Sequence, residues 1–277
     1  MDPYRDGSVM EAYRLAVTRT TPAVRLRALN APTMVMPADK LYPGRSGSVR
    51  VPTPCFLIEH HNGTVLFDAS LTALAYEDAR RAYGDRADRF GLDISPRLRP
   101  DRQLAELGYA PDAVTFLVLS HMHFDHAGAV PLFPKANLVV GWGELEAATA
   151  SVDPYRARVY HEPDLEALRC IPGLYVRDVP VDLFGDGSVV AIPMPGHTNG
   201  SIGLLVSLAS RKVLLPGDAV RSHYYLNNLV PYEIDTDMPA AVDTIRQIQA
   251  VTAQPNVGIW ISHDPDDWTA YGGRPQD

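Results

Sequence analysis

Cysteine is nearly missing from this chain: its 277 residues hold two, Cys55 and Cys170. That is too few for a disulfide framework, and neither has a zinc-type partner nearby in sequence. Cys55, in the run Pro54-Cys55-Phe56-Leu57-Ile58, reads as a small core residue. Long apolar runs are lacking too, since no window approaches the roughly 20 apolar residues of a membrane span. Asp2, Arg5 and Asp6 stand where a signal peptide would need its apolar core. A cytoplasmic location with no membrane partner is therefore expected. Positive charge is in deficit, with a net charge of −8, which argues against a phosphate-backbone partner and so against nucleic acid. No Gly/Ser linker, charge run or internal repeat divides the chain. With 46% hydrophobic residues, a single domain over residues 1–277 is expected, with 1–23 available as a packing arm, for instance in a homodimer.

What is present is concentrated in one place. His121-Met122-His123-Phe124-Asp125-His126 puts four metal-binding side chains within six residues. The run before it, Val114 to Ser120, is short, β-branched and aromatic, and follows a Pro-Asp turn, so it predicts a buried strand with the ligands at its exit. Residues two apart in an extended segment project to one side, so His121 and His123 can share one metal ion. Asp125 and His126 follow as the chain turns and are poorly placed for that same ion. A second metal alongside the first accounts for them. The competing reading is a polar loop with a chance excess of histidine, which the full pattern directly after a strand disfavours.

Three more strand-like runs end on a metal-binding residue: Val189 to Ile192 before Pro193-Met194-Pro195-Gly196-His197, Lys212 to Leu215 before Pro216-Gly217-Asp218, and Val257 to Ile261 before Ser262-His263. Alone, each of these reads as a cap or turn residue. Together with the first cluster they form a pattern that resembles the metallo-β-lactamase superfamily: His-x-His-x-Asp-His at 121–126, Gly-His-Thr at 196–198, Gly-Asp at 217–218 and a late histidine at 262–263. The resemblance extends over about residues 50–265. It implies an α/β fold, a four-layer αβ/βα sandwich with the site along one edge between the sheets. It also implies that His121, His123 and His197 hold one zinc ion, that Asp125, His126 and His263 hold the other, and that Asp218 bridges them.

Elsewhere, Asn62-Gly63 between two apolar runs predicts a hairpin, with His60 and His61 as solvent-facing turn residues. Asp68 follows the second strand, and the resemblance gives it a supporting role behind the metal ligands. The superfamily usually continues with a small residue and glycine, where this chain has Ala69-Ser70. Helices are expected over 71–83, over 102–107 with Gly108 as a stop, over 144–150, and after Asp237, where Val242, Ile245, Ile248 and Val251 recur at helical spacing. Residues 1–50 and 219–237 read as irregular.

Two adjacent zinc ions dictate a chemistry. Zinc lowers the pKa of bound water from near 16 to about 7, so hydroxide is available at neutral pH to attack a carbonyl, and a second ion stabilises the charge that develops on the oxygen. Asp125 or Asp218 can hold or relay the proton. Within the superfamily the chain resembles the zinc-dependent lactonases that open N-acyl homoserine lactones, through Pro54 to Ile58, through Leu107 to Asp112, and in length. Those enzymes have a tyrosine three residues after the bridging aspartate, whereas here Arg221 stands there, with Tyr224 and Tyr225 just beyond. Any of the three is a candidate to assist the leaving group or bind substrate. The alternative is that Arg221 is a surface charge and the tyrosines pack. Segments Met34 to Tyr42 and Tyr224 to Tyr232 are suited to line an acyl pocket. The expected substrate is a small-molecule lactone or ester. A glyoxalase II-like thioesterase is the alternative. A β-lactamase, a persulfide dioxygenase-type oxidoreductase and a non-catalytic descendant stand further off.

Overall fold

Strands that are apolar on both faces need cover on both sides, and the arrangement of layers follows from that. In a computed structural model, which describes residues 8–18, 24–149, 156–168, 173–177 and 179–276, seven strands form one sheet in the order β14-β1-β4-β5-β6-β7-β8. These are β1 (Arg25–Ala28), β4 (Phe56–His60), β5 (Gly63–Phe67), β6 (Val114–Val118), β7 (Asn137–Gly141), β8 (Gly173–Val176) and β14 (Pro275–Gln276). A second sheet runs β13-β12-β11-β10-β9, from β9 (Val181–Asp182), β10 (Val189–Pro193), β11 (Ile202–Ser207), β12 (Lys212–Leu215) and β13 (Val257–Ile259). The strands β2 (Thr33–Pro37) and β3 (Ser48–Pro52) form a separate hairpin.

Side-chain alternation assigns each strand residue to a layer. Phe56, Ile58, Val65, Phe67, Val118 and Val139 of the first sheet meet Val189, Ala191, Leu204, Val206, Val213 and Leu215 of the second in a shared inner core. Their neighbours Leu57, Leu66, Leu117 and Leu138 face the other way and are covered by Leu104, Ala148, Leu165 and Leu168 of helices. On the far side of the second sheet, Val190, Ile192, Leu205 and Leu214 pack against Ile245, Ile248 and Val251 of the helix Met238–Thr252. This is the four-layer αβ/βα sandwich that the resemblance implies.

Local readings largely hold, with instructive exceptions. Asp237 caps the helix Met238–Thr252 by accepting from the Ala240 amide at 3.0 Å. Gly108, with φ +89, ends the helix Pro100–Glu106. The single helix expected over 71–83 is instead a 3-10 turn at Ala73–Tyr76 and a short helix at Ala79–Tyr83. The break falls where Asp78 accepts from the Arg81 amide at 2.9 Å and starts a second helix. The segments read as irregular contain β1, β2, β3, the helix His223–Asn228 and the helix Ser8–Thr18. Val9, Ala12 and Ala16 of that last helix are buried on the outer face of the second sheet, in its own chain. Cys55 is a buried free thiol, as expected, and Cys170 lies outside the described residues.

His60 corrects the sequence reading. It is buried, its ring stacked on Phe184 at 3.9 Å between centroids, while His61 is exposed. The hairpin turn is where the sequence puts it, but the loop between β9 and β10 folds over it.

Candidate metal centre

The two sheets meet at one rim, where the C-terminal ends of β5, β6, β10, β12 and β13 lie close together. Ile202 donates its amide to the Ser120 carbonyl at 2.8 Å, joining the sheets there. Gly217 has φ +57, and a Cβ on it would lie 2.5 Å from the Ser120 Cβ. Only glycine allows the two loops this close.

The predicted ligands arrive at this rim from four strand ends. His121 and His123 leave β6 in extended backbone, and the chain then makes one helical turn at Phe124–Ala127, which swings Asp125 and His126 to another side. His197 follows β10, Asp218 follows β12 and His263 follows β13. All seven side chains are buried and converge.

Their spacing divides them into two sets. In the first, the His121 ring lies 4.4 Å from that of His123 and 4.9 Å from that of His197, and His197 Nε2 is 3.3 Å from His123 Nδ1. In the second, His126 Nε2 and His263 Nε2 are 3.2 Å apart, and Asp125 Oδ2 lies 3.7 Å and 3.5 Å from them. Asp218 faces both: Oδ1 is 3.3 Å from His126 Nε2 and 3.2 Å from His263 Nε2, while Oδ2 is 3.6 Å from His197 Nε2. A tetrahedral ion with bonds of about 2.0–2.1 Å spaces its donors about 3.3 Å apart. The donor distances, from 3.2 to 3.7 Å, lie close to that spacing, and His121 Nε2 is buried at the centre without a hydrogen-bond partner. These residues fit a pair of divalent cations.

Behind the donors, other groups fix which nitrogen faces inward. Asp68 accepts from the Ser120 amide at 2.7 Å and the Ser120 hydroxyl at 3.0 Å, and also takes the His126 Nδ1 proton at 2.9 Å. Because the Ser120 hydroxyl donates to Asp68, it accepts from His121 Nδ1 at 3.0 Å. His197 Nδ1 is held by Asp235 at 2.9 Å and His263 Nδ1 by the Pro52 carbonyl at 2.7 Å. Each of these four imidazoles thus turns Nε2 toward the centre.

Asp68 and Ser70 both have positive φ, +62° and +50°. Ser70 occupies the left-handed conformation that glycine adopts without cost, and its hydroxyl bonds Tyr76 at 3.1 Å and Thr53 at 3.3 Å. The Ala69-Ser70 departure is thereby accommodated.

Electrostatics favour positive charge at the rim. Burial pushes His121 and His123 well below the usual histidine range, which keeps them neutral and able to donate. Burial acts on His126 in the same direction, but the carboxylates of Asp218, Asp68 and Asp125 outweigh it and hold His126 well above that range. Asp218 is pushed up by burial, yet Arg221, His263 and His126 bring it well below the usual carboxylate range.

Arg221, the residue that departs from the lactonase pattern, is not a surface charge. It is 5% exposed, its Nη1 lies 3.0 Å from Asp218 Oδ2, and its guanidinium sits 4.4 Å over the Tyr232 ring. Of the three candidates beyond Asp218, it is the one in contact with the centre. Tyr225 donates its hydroxyl to the Lys40 carbonyl at 2.9 Å, and Tyr224, 41% exposed, rests edge-on against Tyr225. Ser222 likewise bonds the Leu41 carbonyl at 2.9 Å, so the two segments read as pocket walls lie against each other.

Glu144, which the sequence marks only as the start of a helix, also belongs to the site. Its buried carboxylate accepts from the Met122 amide at 2.8 Å and from the Thr198 hydroxyl, tying the loop 121–126 to the loop 196–198. Burial raises its pKa against these hydrogen bonds.

A third group of donors, His60, His61 and Asp186, lies at the opposite end of the first sheet. Here the Asn62 amide donates to His60 Nδ1 at 3.1 Å, which leaves the proton on Nε2, pointed at Asp186 at 2.9 Å. Both nitrogens are spent on the protein, and the group ties the hairpin to the loop between β9 and β10.

Comparison with known proteins identifies the family. Residues 49–271 match the family described as Metallo-beta-lactamase superfamily. The N-acyl homoserine lactonase AttM of Rhizobium radiobacter is 29% identical over 246 residues, covering 86% of this chain and 91% of that protein. The protein of the same name from Azorhizobium caulinodans is 30% identical over 250 residues, covering 85% and 90%. Among solved structures, an N-acyl homoserine lactone hydrolase with the product N-hexanoyl-L-homoserine at its catalytic metal center superposes with a TM-score of 0.74 at 22% identity, covering 90% of this chain and 97% of that one. AidC, a dizinc quorum-quenching lactonase in complex with a product, gives 0.67 at 16% identity, covering 92% and 91%. Among the described residues no helix is long and apolar enough to cross a membrane.

Proposed function

The chain belongs to the metallo-β-lactamase superfamily, and from that premise we propose that it is a dinuclear metal-dependent hydrolase that opens a lactone ring, foremost that of an N-acyl homoserine lactone. The observation that carries this reading is the convergence of seven buried side chains from four strand ends into two donor sets with Asp218 between them. Its relatives named as N-acyl homoserine lactonases support the substrate class.

His121, His123, His197 and Asp218 Oδ2 would hold one ion, and Asp125, His126, His263 and Asp218 Oδ1 the other. Two zinc ions bound there would supply an acidified water and a Lewis acid for the carbonyl oxygen. The protein's own residues do the rest. Asp68, Asp235, Ser120 and the Pro52 carbonyl keep the imidazoles oriented, so the donors need no reorganisation when substrate arrives. Asp125 or Asp218 would take the proton released as water adds to the carbonyl carbon. The ring C–O bond then breaks, and the departing oxygen takes up a proton as the hydroxyl of the open product. Segments 34–42 and 224–232, locked together beside the centre, would receive the acyl chain.

Ring opening yields a carboxylic acid and releases one proton at neutral pH, so a pH-stat panel of lactones tests the reading. Turnover of N-acyl homoserine lactones that stops with a chelator and returns with Zn²⁺ is the expected result. No response to any lactone, with turnover of glutathione thioesters run in parallel, would transfer the assignment to a glyoxalase II-like thioesterase.

A further inference from the structure

Asp218 stands between the two donor sets, but its two oxygens are not alike. Oδ1 lies against imidazoles of the Asp125, His126 and His263 set, at 3.3 Å and 3.2 Å. Oδ2, which faces His197 at 3.6 Å, also carries the Arg221 guanidinium at 3.0 Å. Arg221 is buried and backed by Tyr232, and Asp218 is buried beneath it, so water does little to screen the contact. A carboxylate oxygen already paired with a cation is a poorer donor to a second cation. A fixed positive charge beside a site also repels a divalent ion entering it. The first effect falls on the His121, His123 and His197 side, which Oδ2 faces; the repulsion adds to it there, although the charge also reaches Asp125.

We infer that Arg221 makes the two metal positions unequal, so that the Asp125/His126/His263 position fills first and the His121/His123/His197 position binds its ion much more weakly. Arg221 acts here as a positioning residue, through Asp218, and the inference rests on the dinuclear reading above. It gives the chain a range of metal concentration in which it holds one ion, set by a residue outside the seven donors.

The test is direct metal binding by the whole protein. Chelator-stripped protein is supplied with Co²⁺ against a competing chromophoric chelator, and binding is followed through the cobalt absorption bands. Two steps are expected, their dissociation constants separated by about 100-fold or more, in keeping with the 10–100-fold effects typical of groups behind the ligands and the added charge repulsion. Arg221→Gln should bring the steps together by strengthening the second, and Arg221→Lys, which keeps the charge, should leave them apart. His121→Ala should remove the weak step and keep the strong one. A single unresolved two-ion step in the unaltered protein overturns the inference while leaving the dinuclear centre standing. So does loss of the strong step in His121→Ala, or an unchanged gap in an Arg221→Gln variant whose circular dichroism matches the parent. Failure to bind any Co²⁺ overturns the dinuclear reading itself.

Discussion

His60 and His126 are both buried, and each has a carboxylate oxygen 2.9 Å from a ring nitrogen. The difference is which nitrogen. Asp68 accepts from His126 Nδ1 behind the ring, so Nε2 faces Asp218 and His263. Asp186 takes the Nε2 proton of His60 from in front, and the Asn62 amide occupies Nδ1. One arrangement turns a ring nitrogen toward the other donors, and the other consumes both nitrogens in fastening a loop. Composition alone does not separate a ligand cluster from a structural knot. The partner on the far side of the ring does.

That contrast can be broken in order of expected effect. Asp218→Ala removes the one carboxylate shared by the two donor sets, and lactone turnover should fall by on the order of 10³-fold or more, with bound metal lost in parallel by elemental analysis. Asp186→Asn, at the other cluster, should leave metal content and turnover within about twofold. Near-normal activity and metal content in Asp218→Ala would refute the role given to that residue.

The next test removes the carboxylate behind the ring rather than the ligand. Asp68→Asn and Asp235→Asn should each weaken metal binding by about 10–100-fold, measured by chelator competition. A drop as large in His60→Gln would erase the distinction between the clusters. For His60→Gln the expectation is a stability loss of about 1–3 kcal/mol in urea unfolding, with metal stoichiometry unchanged.

A third histidine–carboxylate pair gives the smallest effect. His223 Nε2 lies 2.8 Å from Asp267 on a half-exposed helix, and the hydrogen bond to Asp267 raises the His223 pKa despite partial burial. A raised folded-state value means the pair stabilises fully below the unfolded pKa of about 6.5 and loses that contribution as pH climbs through the folded value. Solvent screening holds it below about 1 kcal/mol. The stability difference between the parent and His223→Gln should therefore be present at pH 5.5 and vanish by pH 9, as read from paired denaturant curves.

Much of the centre was legible because its residues share one signature: a polar, metal-binding side chain just past an apolar strand. That rule found 121–126, 197, 218 and 263. Applied to β7 it also points to Glu144, three residues beyond Gly141, but helix propensity masked it as an ordinary first-turn acid. Asp235 offers no such cue, since it reaches His197 from a loop whose path depends on Leu229 adopting a left-handed turn. The burial of His60 was equally hidden, because Phe184 and Asp186 come from the other sheet, more than a hundred positions along the chain. The Asn-Gly dipeptide fixes the turn at 60–63 and carries no information about what covers it. Arg221 was visible as a departure from the lactonase pattern, yet its contact with Asp218 depends on side-chain packing that local sequence does not encode.

The contact between Ser120 and Gly217 sets a dimension as well as a join. The Ser120 side chain meets Gly217 there with no room for one more carbon, so the gap at the rim has reached its minimum, like a vice already closed. A single methyl, as in Gly217→Ala, would be a wedge in that vice, carrying Asp218 outward while His121 to His126 stay with the opposite jaw.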